Sequence, residues 1–488
     1  MLCLPPRPDA EPPAPEPLLQ PPTVPAIRIR RCLALLALAV AVATASAAPL
    51  DISAYPNLQA AIDAHAGGII QLPPGEYTID RALTLHREGT ELHGPARIVQ
   101  TNPKEPILRV VKTARVRVAN LSLTRAVDRQ QAEAPGVDVV GSQDVELLQL
   151  RVSDNHSRSS IRAENSRDVS VAGCTVINYK GPVIDDRTAP HHLSGYAFKA
   201  IDGTGIQMVA VQNGIIRDNR IQEIRLPANK DTVARYGLGQ LTVVPKERGR
   251  LMSQEIFDTR FTNNWHQGSG IHVSNPMATS HVLVTGNFIE NAGQGVDVHG
   301  DNVTLSHNIV RSAIIGMKAM HGSKNVLIDG NQFSHVDLWG IMLMPGAASQ
   351  VSANADTASG RKVAAENVDG GTVVSNNIIS WFGYGENSWN WVGDTSKGPA
   401  TLCAIAVRAG QIEENPSIHD ILITGNVVYD NGRDTVLVDG RWIKQPPRYR
   451  YALYVEREVQ PAPVNVKVYA NLLSPGSLGA SNVPDSAN

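Results

Sequence analysis

FTNNWHQGSGIHV (261–273), VTGNFIENAGQGVDVHG (284–300), LSHNIVRSAIIGMKAMHG (305–322) and IDGNQFSHVDLWGIMLM (328–344) are near-copies of one short unit laid end to end. Each holds an asparagine: Asn264, Asn287, Asn308 and Asn331. Each later has a glycine followed by an apolar residue, at Gly270, Gly295, Gly316 and Gly340. The asparagines recur at intervals in the low twenties. A period of that length, made of short apolar strands, marks a solenoid. Alternation within each unit has period two, and no run carries helical spacing. Leucine-rich repeats have a similar period, but their LxxLxL frame is absent. That leaves an all-β fold, a single-stranded parallel β-helix with one coil per unit. The spacing predicts the asparagines at a bend, in the αL conformation that Asn adopts cheaply. Stacked on successive coils, they can hydrogen-bond as an amide ladder.

The frame continues outward from this block. VRVANLSL (116–123), VELLQLRV (145–152) and VSVAGCTV (169–176) fit it with Leu or Cys at the Asn position, and Asn219 restores the Asn. Asn377, Asn426 and Asn471 extend it at gaps of about two periods, so each gap holds two coils or one coil with an inserted loop. Coils therefore occupy 116–475, broken by inserted loops at 179–212, 226–255 and 345–402. Insertions in a solenoid leave at coil bends and rim a binding face. The tail 476–488 reads as disordered.

Residues 57–80 read NLQAAIDAHAGGIIQLPPGEYTID. Leu58, Ala61, Ile62 and His65 share one helical face, a Gly pair stops the helix, and strand, Pro-Pro-Gly turn and strand follow. This segment resembles the amino-terminal part of the pectate-lyase-like superfamily (the pectin lyase fold). The resemblance implies a right-handed coil plugged at one end by a short helix, and it covers roughly residues 55–475. Residues 48–115 are then the cap and first coils. An open coil end exposes apolar core and unpaired strand edge, so a cap is physically required.

Upstream lie a Pro-rich leader, the basic IRIRR (27–31), an apolar run from Cys32 to Val42, and ATASAA. This is the pattern of a secretory signal, with cleavage expected near Ala47, a translation start expected nearer Val24, and a genuine extended leader as the alternative. The apolar run is too short for a comfortable membrane span. A soluble secreted or periplasmic protein without a membrane anchor is expected. Cys174 and Cys403 sit in apolar strand patterns, separated by many coils at about 4.8 Å each, so they read as two buried thiols. A net charge of -2 leaves no footprint for nucleic acid. No P-loop, GxSxG, HExxH or dinucleotide fingerprint is present. Nothing in the sequence bears on oligomeric state.

Chemistry concentrates on the outward face of the central coils. After each glycine, Ile271, Val296, Met317 and Ile341 point inward, so His272, Asp297, Lys318 and Met342 form an outward column. Ser274, His299, Met320 and Met344 form a second. His321 falls at the next bend, and Arg311 on an adjoining side of its coil. The candidate catalytic residues are thus His272, Asp297, His299, Arg311, Lys318 and His321. A solvated surface ion pair is the plain alternative. Trp339, Trp381, Tyr384, Trp389 and Trp391 crowd one region and are candidate sugar-stacking residues, or rings that pack a loop.

The leading reading is an enzyme acting on a polysaccharide, a uronate lyase or C5-epimerase. Such chemistry needs a base, for which Lys318, His299 and His272 qualify, and a cation on the substrate carboxylate, for which Arg311 qualifies. Asp297 would orient a neighbour or bind calcium, the one cofactor under consideration. The paired Asp clusters of calcium pectate lyases and the DPH motif of alginate epimerases are absent. A polygalacturonase-like glycoside hydrolase is the alternative, drawing carboxylates from Asp297, Asp301, Asp337, Asp185 and Asp186. The NTD…DD…GHG…RIK constellation of that branch is not reproduced. A non-catalytic carbohydrate-binding or surface solenoid is the third reading.

Overall fold

Period-two alternation becomes strands that pair with their copies one coil away. The computed structural model describes residues 48–187, 196–242, 265–352, 366–382, 402–410, 414–429, 435–444 and 449–485. One wound parallel sheet of 31 strands runs through them. It has three faces. The first face includes Ser269–Ser274, Gln294–Val298, the ends of Ile309–Ala319 and Gln332–Leu343, then Cys403–Val407 and Tyr451–Val455. Ser280–Thr285, Asp301–Ser306 and Lys324–Asp329 lie on the second. Phe288–Glu290 and the starts of the two long strands lie on the third. Inward residues Ile271, Val296, Met317 and Ile341 stack in register and are fully buried.

The bend between the second and third faces carries the ladder. Asn219, Asn287, Asn308, Asn331, Asn377 and Asn426 each pass one Nδ2–H to the Oδ1 of the next, at 2.9–3.0 Å, and the series ends on Asn471 as acceptor. The second Nδ2–H goes to a main-chain carbonyl, as from Asn308 to Val284 at 3.0 Å. Each gap after Asn331 therefore holds one coil with an insertion. Two expectations are corrected. The αL conformation belongs to the residue before each ladder Asn, such as Gly286, His307, Gly330 and Asn376, because the extended Asn must turn its amide inward along the coil axis. Asn264 lies outside the described residues, and the ladder place beside Asn287 is held by Asn219.

The cap forms as expected. Asn57 accepts the Ala60 N–H at 2.9 Å, and the helix Leu58–Ala64 buries Leu58, Ala61 and Ile62 against the first coils. His65 does not join them. It is exposed, and its Nδ1 folds back to Ala61 O at 3.0 Å. Cys174 and Cys403 are buried thiols. The first insertion is an antiparallel hairpin, Gly181–Arg187 with Tyr196–Asp202, and the coil resumes at Thr204–Gln212, before the boundary expected from sequence. Within 345–402, Gly370–Ser375 and Ile378–Phe382 are coil strands. The tail is not wholly disordered: Gly479–Ser481 pairs with Tyr451–Val455, and Asn482 accepts Val455 N–H at 2.8 Å.

Candidate active site

His272, Asp297, Lys318 and Met342 are direct partners on neighbouring strands of the first face. His299 follows Asp297 by two residues and shares its side of the sheet. The patch is not a solvated face. Side-chain exposure is 7% for Asp297, 12% for His299, 13% for Lys318 and 19% for His272. Met320, Met342 and Met344 are buried beside it and form an apolar wall.

Asp297 is the hub. Its Oδ1 lies 2.9 Å from His299 Nε2, and its Oδ2 lies 3.3 Å from Lys318 Nζ and 3.8 Å from His272 Nε2. Burial alone would push the carboxyl up. His299, Lys318 and His272 outweigh it and hold Asp297 well below the usual carboxylate range. The rings of His272 and His299 meet edge to face at 5.1 Å, and those of His299 and His321 at 4.4 Å. Ala348 N–H approaches His321 Nδ1 at 3.3 Å, so the segment after Met344 seats that ring.

Gln207 belongs to the site, although it fell inside a stretch read as an insertion. It pairs with His272 across the sheet, and its Nε2 is 3.1 Å from His272 Nδ1. Ser159 Oγ donates to Gln207 Oε1 at 2.5 Å. The signal was present: Gly205-Ile206 precedes Gln207 as Gly270-Ile271 precedes His272.

Other candidates are not brought in. Arg311 stands on the third face, 53% exposed, with its Nε 2.9 Å from Glu290 Oε1. Trp339 is buried beneath Arg408, whose Cζ is 5.5 Å from the ring centroid. Trp381 lies on a third-face strand, tilted against His335 at 4.4 Å. Tyr384, Trp389 and Trp391 lie outside the described residues. Asp185 accepts from Gln267 Nε2, and Asp301 from Asn325 Nδ2 at 2.8 Å. Beside Asp297, the outward column reads Gln207 and His272 on one side, Lys318 and Met342 on the other. No second carboxylate occupies those positions.

This architecture has relatives. The family described as "Right handed beta helix region" matches residues 252–397. The chain is a right-handed parallel β-helix protein. Three solved β-helices share its fold. The Yersinia enterocolitica family 28 exopolygalacturonase is 11% identical with a TM-score of 0.51, covering 88% of this chain and 76% of that one. The A-module of Azotobacter vinelandii mannuronan C-5 epimerase AlgE4 is 12% identical with a TM-score of 0.50, covering 89% and 97%. The Dettilon tailspike protein is 12% identical with a TM-score of 0.50, covering 85% and 61%. YclG, an uncharacterized protein of Bacillus subtilis (strain 168), is 23% identical over 195 residues. That match spans 36% of this β-helix and 32% of YclG.

A second buried cluster had no warning in the sequence. Lys180 is fully buried at the base of the hairpin, with its Nζ 2.8 Å from both His266 Nε2 and Gln267 O. Its main-chain N–H donates to Glu223 Oε2 at 2.9 Å. Burial brings the lysine down to about 7, against the upward pull of Glu223 and Asp202. These contacts tie the hairpin to the coil. Among the described residues of the β-helix, no helix is long and apolar enough to cross a membrane.

Proposed function

We propose that the protein acts on an acidic polysaccharide, removing the proton α to a uronate carboxylate as a lyase or C5-epimerase. One observation carries this reading. A single buried carboxylate, Asp297, is surrounded by His272, His299 and Lys318, with no second carboxylate in the adjoining column positions. Glycoside hydrolysis needs two carboxylates facing one bond. Proton abstraction needs a base and a cation, and this patch has both.

The roles follow from placement. Asp297 orients His299, whose imidazole takes the α-proton, and His272 is the second base within reach. The Lys318 ammonium neutralises the substrate carboxylate as the enolate forms, the role that Arg311 is too far round the coil to fill. In a lyase the enolate then expels the glycosidic oxygen β to the carboxylate, which leaves with a proton. In an epimerase the proton returns to the opposite face of the same carbon. One of the β-helix proteins that share this fold is named for C-5 epimerisation of mannuronan. The assignment here rests on the residues, not on that likeness.

The leader motif supports export, with a mature amino terminus just after Ala47. Amino-terminal sequencing of the secreted product tests it, and recovery of the intact leader in the cytoplasm refutes it. For the activity, a panel of uronate and neutral polysaccharides is read three ways: ultraviolet absorbance of unsaturated ends, NMR of the uronate configuration, and reducing ends. The expected result is an unsaturated or epimerised product from a uronate polymer. Reducing ends without unsaturation would replace this reading with hydrolysis. Binding without any product would leave a carbohydrate-binding solenoid.

A further inference from the structure

We propose that His272, Asp297 and His299 form a binding site for one divalent transition-metal ion of the zinc class. The inference stands on the geometry of the three side chains. It competes with the base roles given above to His299 and His272, since an imidazole nitrogen that ligates an ion cannot take a proton. In the ion-bound protein Lys318 is the remaining base of the patch.

Their ligand atoms all lie within 4.8 Å of one another. His299 Nε2 lies 2.9 Å from Asp297 Oδ1 and His272 Nε2 lies 3.8 Å from Oδ2, separations of the size found between ligand atoms that each sit about 2.0–2.2 Å from one ion. Asp297 lies on the strand Gln294–Val298, His299 follows directly after the end of that strand, and His272 is the partner of Asp297 on the neighbouring strand.

A second observation points to a ligand. Asp297 Oδ1 and His299 Nε2 are both shut off from solvent and 2.9 Å apart, yet they are not aligned for a hydrogen bond. Buried polar atoms are normally satisfied, and an ion seated among the three side chains satisfies these two. Lys318 Nζ lies 3.3 Å from Oδ2.

The outer contacts are also those of a metal site. A ligating histidine usually has its other ring nitrogen fixed by a neighbour. His272 Nδ1 is met by the Gln207 carboxamide, itself anchored by Ser159. The two ends of a carboxamide are interchangeable in such a contact. With its oxygen toward His272, Gln207 accepts the Nδ1 proton and leaves the Nε2 lone pair for the ion. Ser159 can then accept from the amide.

The donor set selects the ion. Two imidazoles and one carboxylate suit zinc, cobalt or iron(II). Calcium takes six to eight oxygens, and this site offers two nitrogens among three donors. An ion here would bring a positive charge to the face where a uronate carboxylate is expected.

The test uses the full-length protein, stripped with a chelator and dialysed. Zinc, manganese and calcium are each titrated by calorimetry, and metal content is read by mass spectrometry. The expected result is one zinc per chain, with much weaker calcium binding. A cobalt(II) complex should show visible d–d bands without thiolate charge transfer, since Cys174 and Cys403 are buried elsewhere. Asp297→Asn and His272→Gln should abolish stoichiometric zinc while the folded circular dichroism spectrum persists. Gln207→Leu should weaken zinc about 10–100-fold, as loss of an outer partner does. Arg311→Ala should leave binding unchanged. Absence of stoichiometric zinc in the wild type overturns the proposal. So does zinc binding that survives both Asp297→Asn and His272→Gln. Binding without action on any polymer keeps this site and removes the activity reading, so the two fail separately.

Discussion

Asp138 and Asp297 stand on the same outward column, with Arg162, Gln207 and His272 between them. Both are buried, and both are flanked by cationic side chains on adjoining strands. Asp138 has Arg162 Nε at 2.9 Å and Arg109 Nε at 3.9 Å. Asp297 has His299, Lys318 and His272. The scaffold is the same and the partners differ. Guanidinium stays charged at any working pH, gives hydrogen bonds in a fixed fork, and cannot take a proton or hold a metal. Imidazole and amine can take or give a proton, and imidazole is a metal ligand. One column therefore builds a fastening at Asp138 and a reactive group at Asp297.

The largest expected effect tests that contrast directly. His299→Ala should lower turnover on the polymer by about 10²–10⁴-fold, the usual worth of a general base. Lys318→Ala and Asp297→Asn should also fall far below wild type, because each leaves the developing charge or the base without its partner. Asp138→Asn should leave turnover within a few-fold. If Asp138→Asn and Asp297→Asn cost the same, the two groups do not differ in kind. If His299→Ala and Lys318→Ala both keep wild-type turnover, the Asp297 group is another fastening.

The next effect is on stability, and the ladder supplies the reference. There the column repeats one residue and every amide is satisfied by its neighbours. Asn308→Ala removes the acceptor of both Asn287 N–H groups that it serves, at 3.1 Å and 2.9 Å. It also removes a donor to Asn331. Leaving buried donors unmade costs about 1–3 kcal/mol each, so a loss of about 3 kcal/mol is expected in urea unfolding. Asp138→Ala should cost about 2 kcal/mol, less than a fully buried pair because both arginines are partly exposed. A ladder variant as stable as wild type would mean that repetition there is incidental.

The same contrast explains what could be read from sequence. Identical residues at equal spacing announce themselves, and Asn287, Asn308 and Asn331 gave the coil, its register and the outward column of His272, Asp297 and Lys318. Spacing says which coil and which side of a strand, but not how a bend is divided. Hence the αL residue was misplaced by one, and Arg311, close in sequence, went to a different face. Equal spacing also misled at Asn264, because an insertion before it can shift an Asn out of the ladder without changing its distance from the next unit. Insertions hid more. Gln207 was masked by the hairpin before it, although its Gly-Ile pair marks a coil strand. Lys180, Glu223 and His266 meet only because a hairpin and two bends converge, and no local pattern encodes that. Burial was the remaining unknown. An outward position was expected to be wet, and the first face around Asp297 is largely dry.

A third buried aspartate sharpens the comparison with the smallest effect. Among the described residues, Asp369 has no cation in its hydrogen-bonding shell. Its Oδ1 accepts Gly322 and Ser323 N–H at 2.9 Å, and its Oδ2 accepts Ser349 Oγ–H at 2.5 Å. Burial outweighs these bonds and raises its carboxyl to about 7. Asp297, with three basic neighbours, moves the opposite way. The sign of the stability effect follows from which state holds the proton. Between the ordinary value near 3.8 and about 7, folded Asp369 keeps a proton that the unfolded chain has lost. Its contribution is therefore fully present in acid and is lost as pH rises through about 7. Asp369→Asn keeps the shape, accepts the same two N–H groups through its oxygen, and does not titrate. Melting temperatures of the two proteins should differ by a pH-dependent amount. The wild type should lose ground steadily from about pH 4 to about pH 7, then run parallel to the variant. Turnover should stay within a few-fold, since Asp369 bonds to the bend after His321 and to the segment that seats that ring, and not to the Asp297 group itself. A constant difference at every pH would show that Asp369 stays ionised in the folded protein. A buried aspartate in this coil would then need no cation, and the arginines around Asp138 would lose their reason.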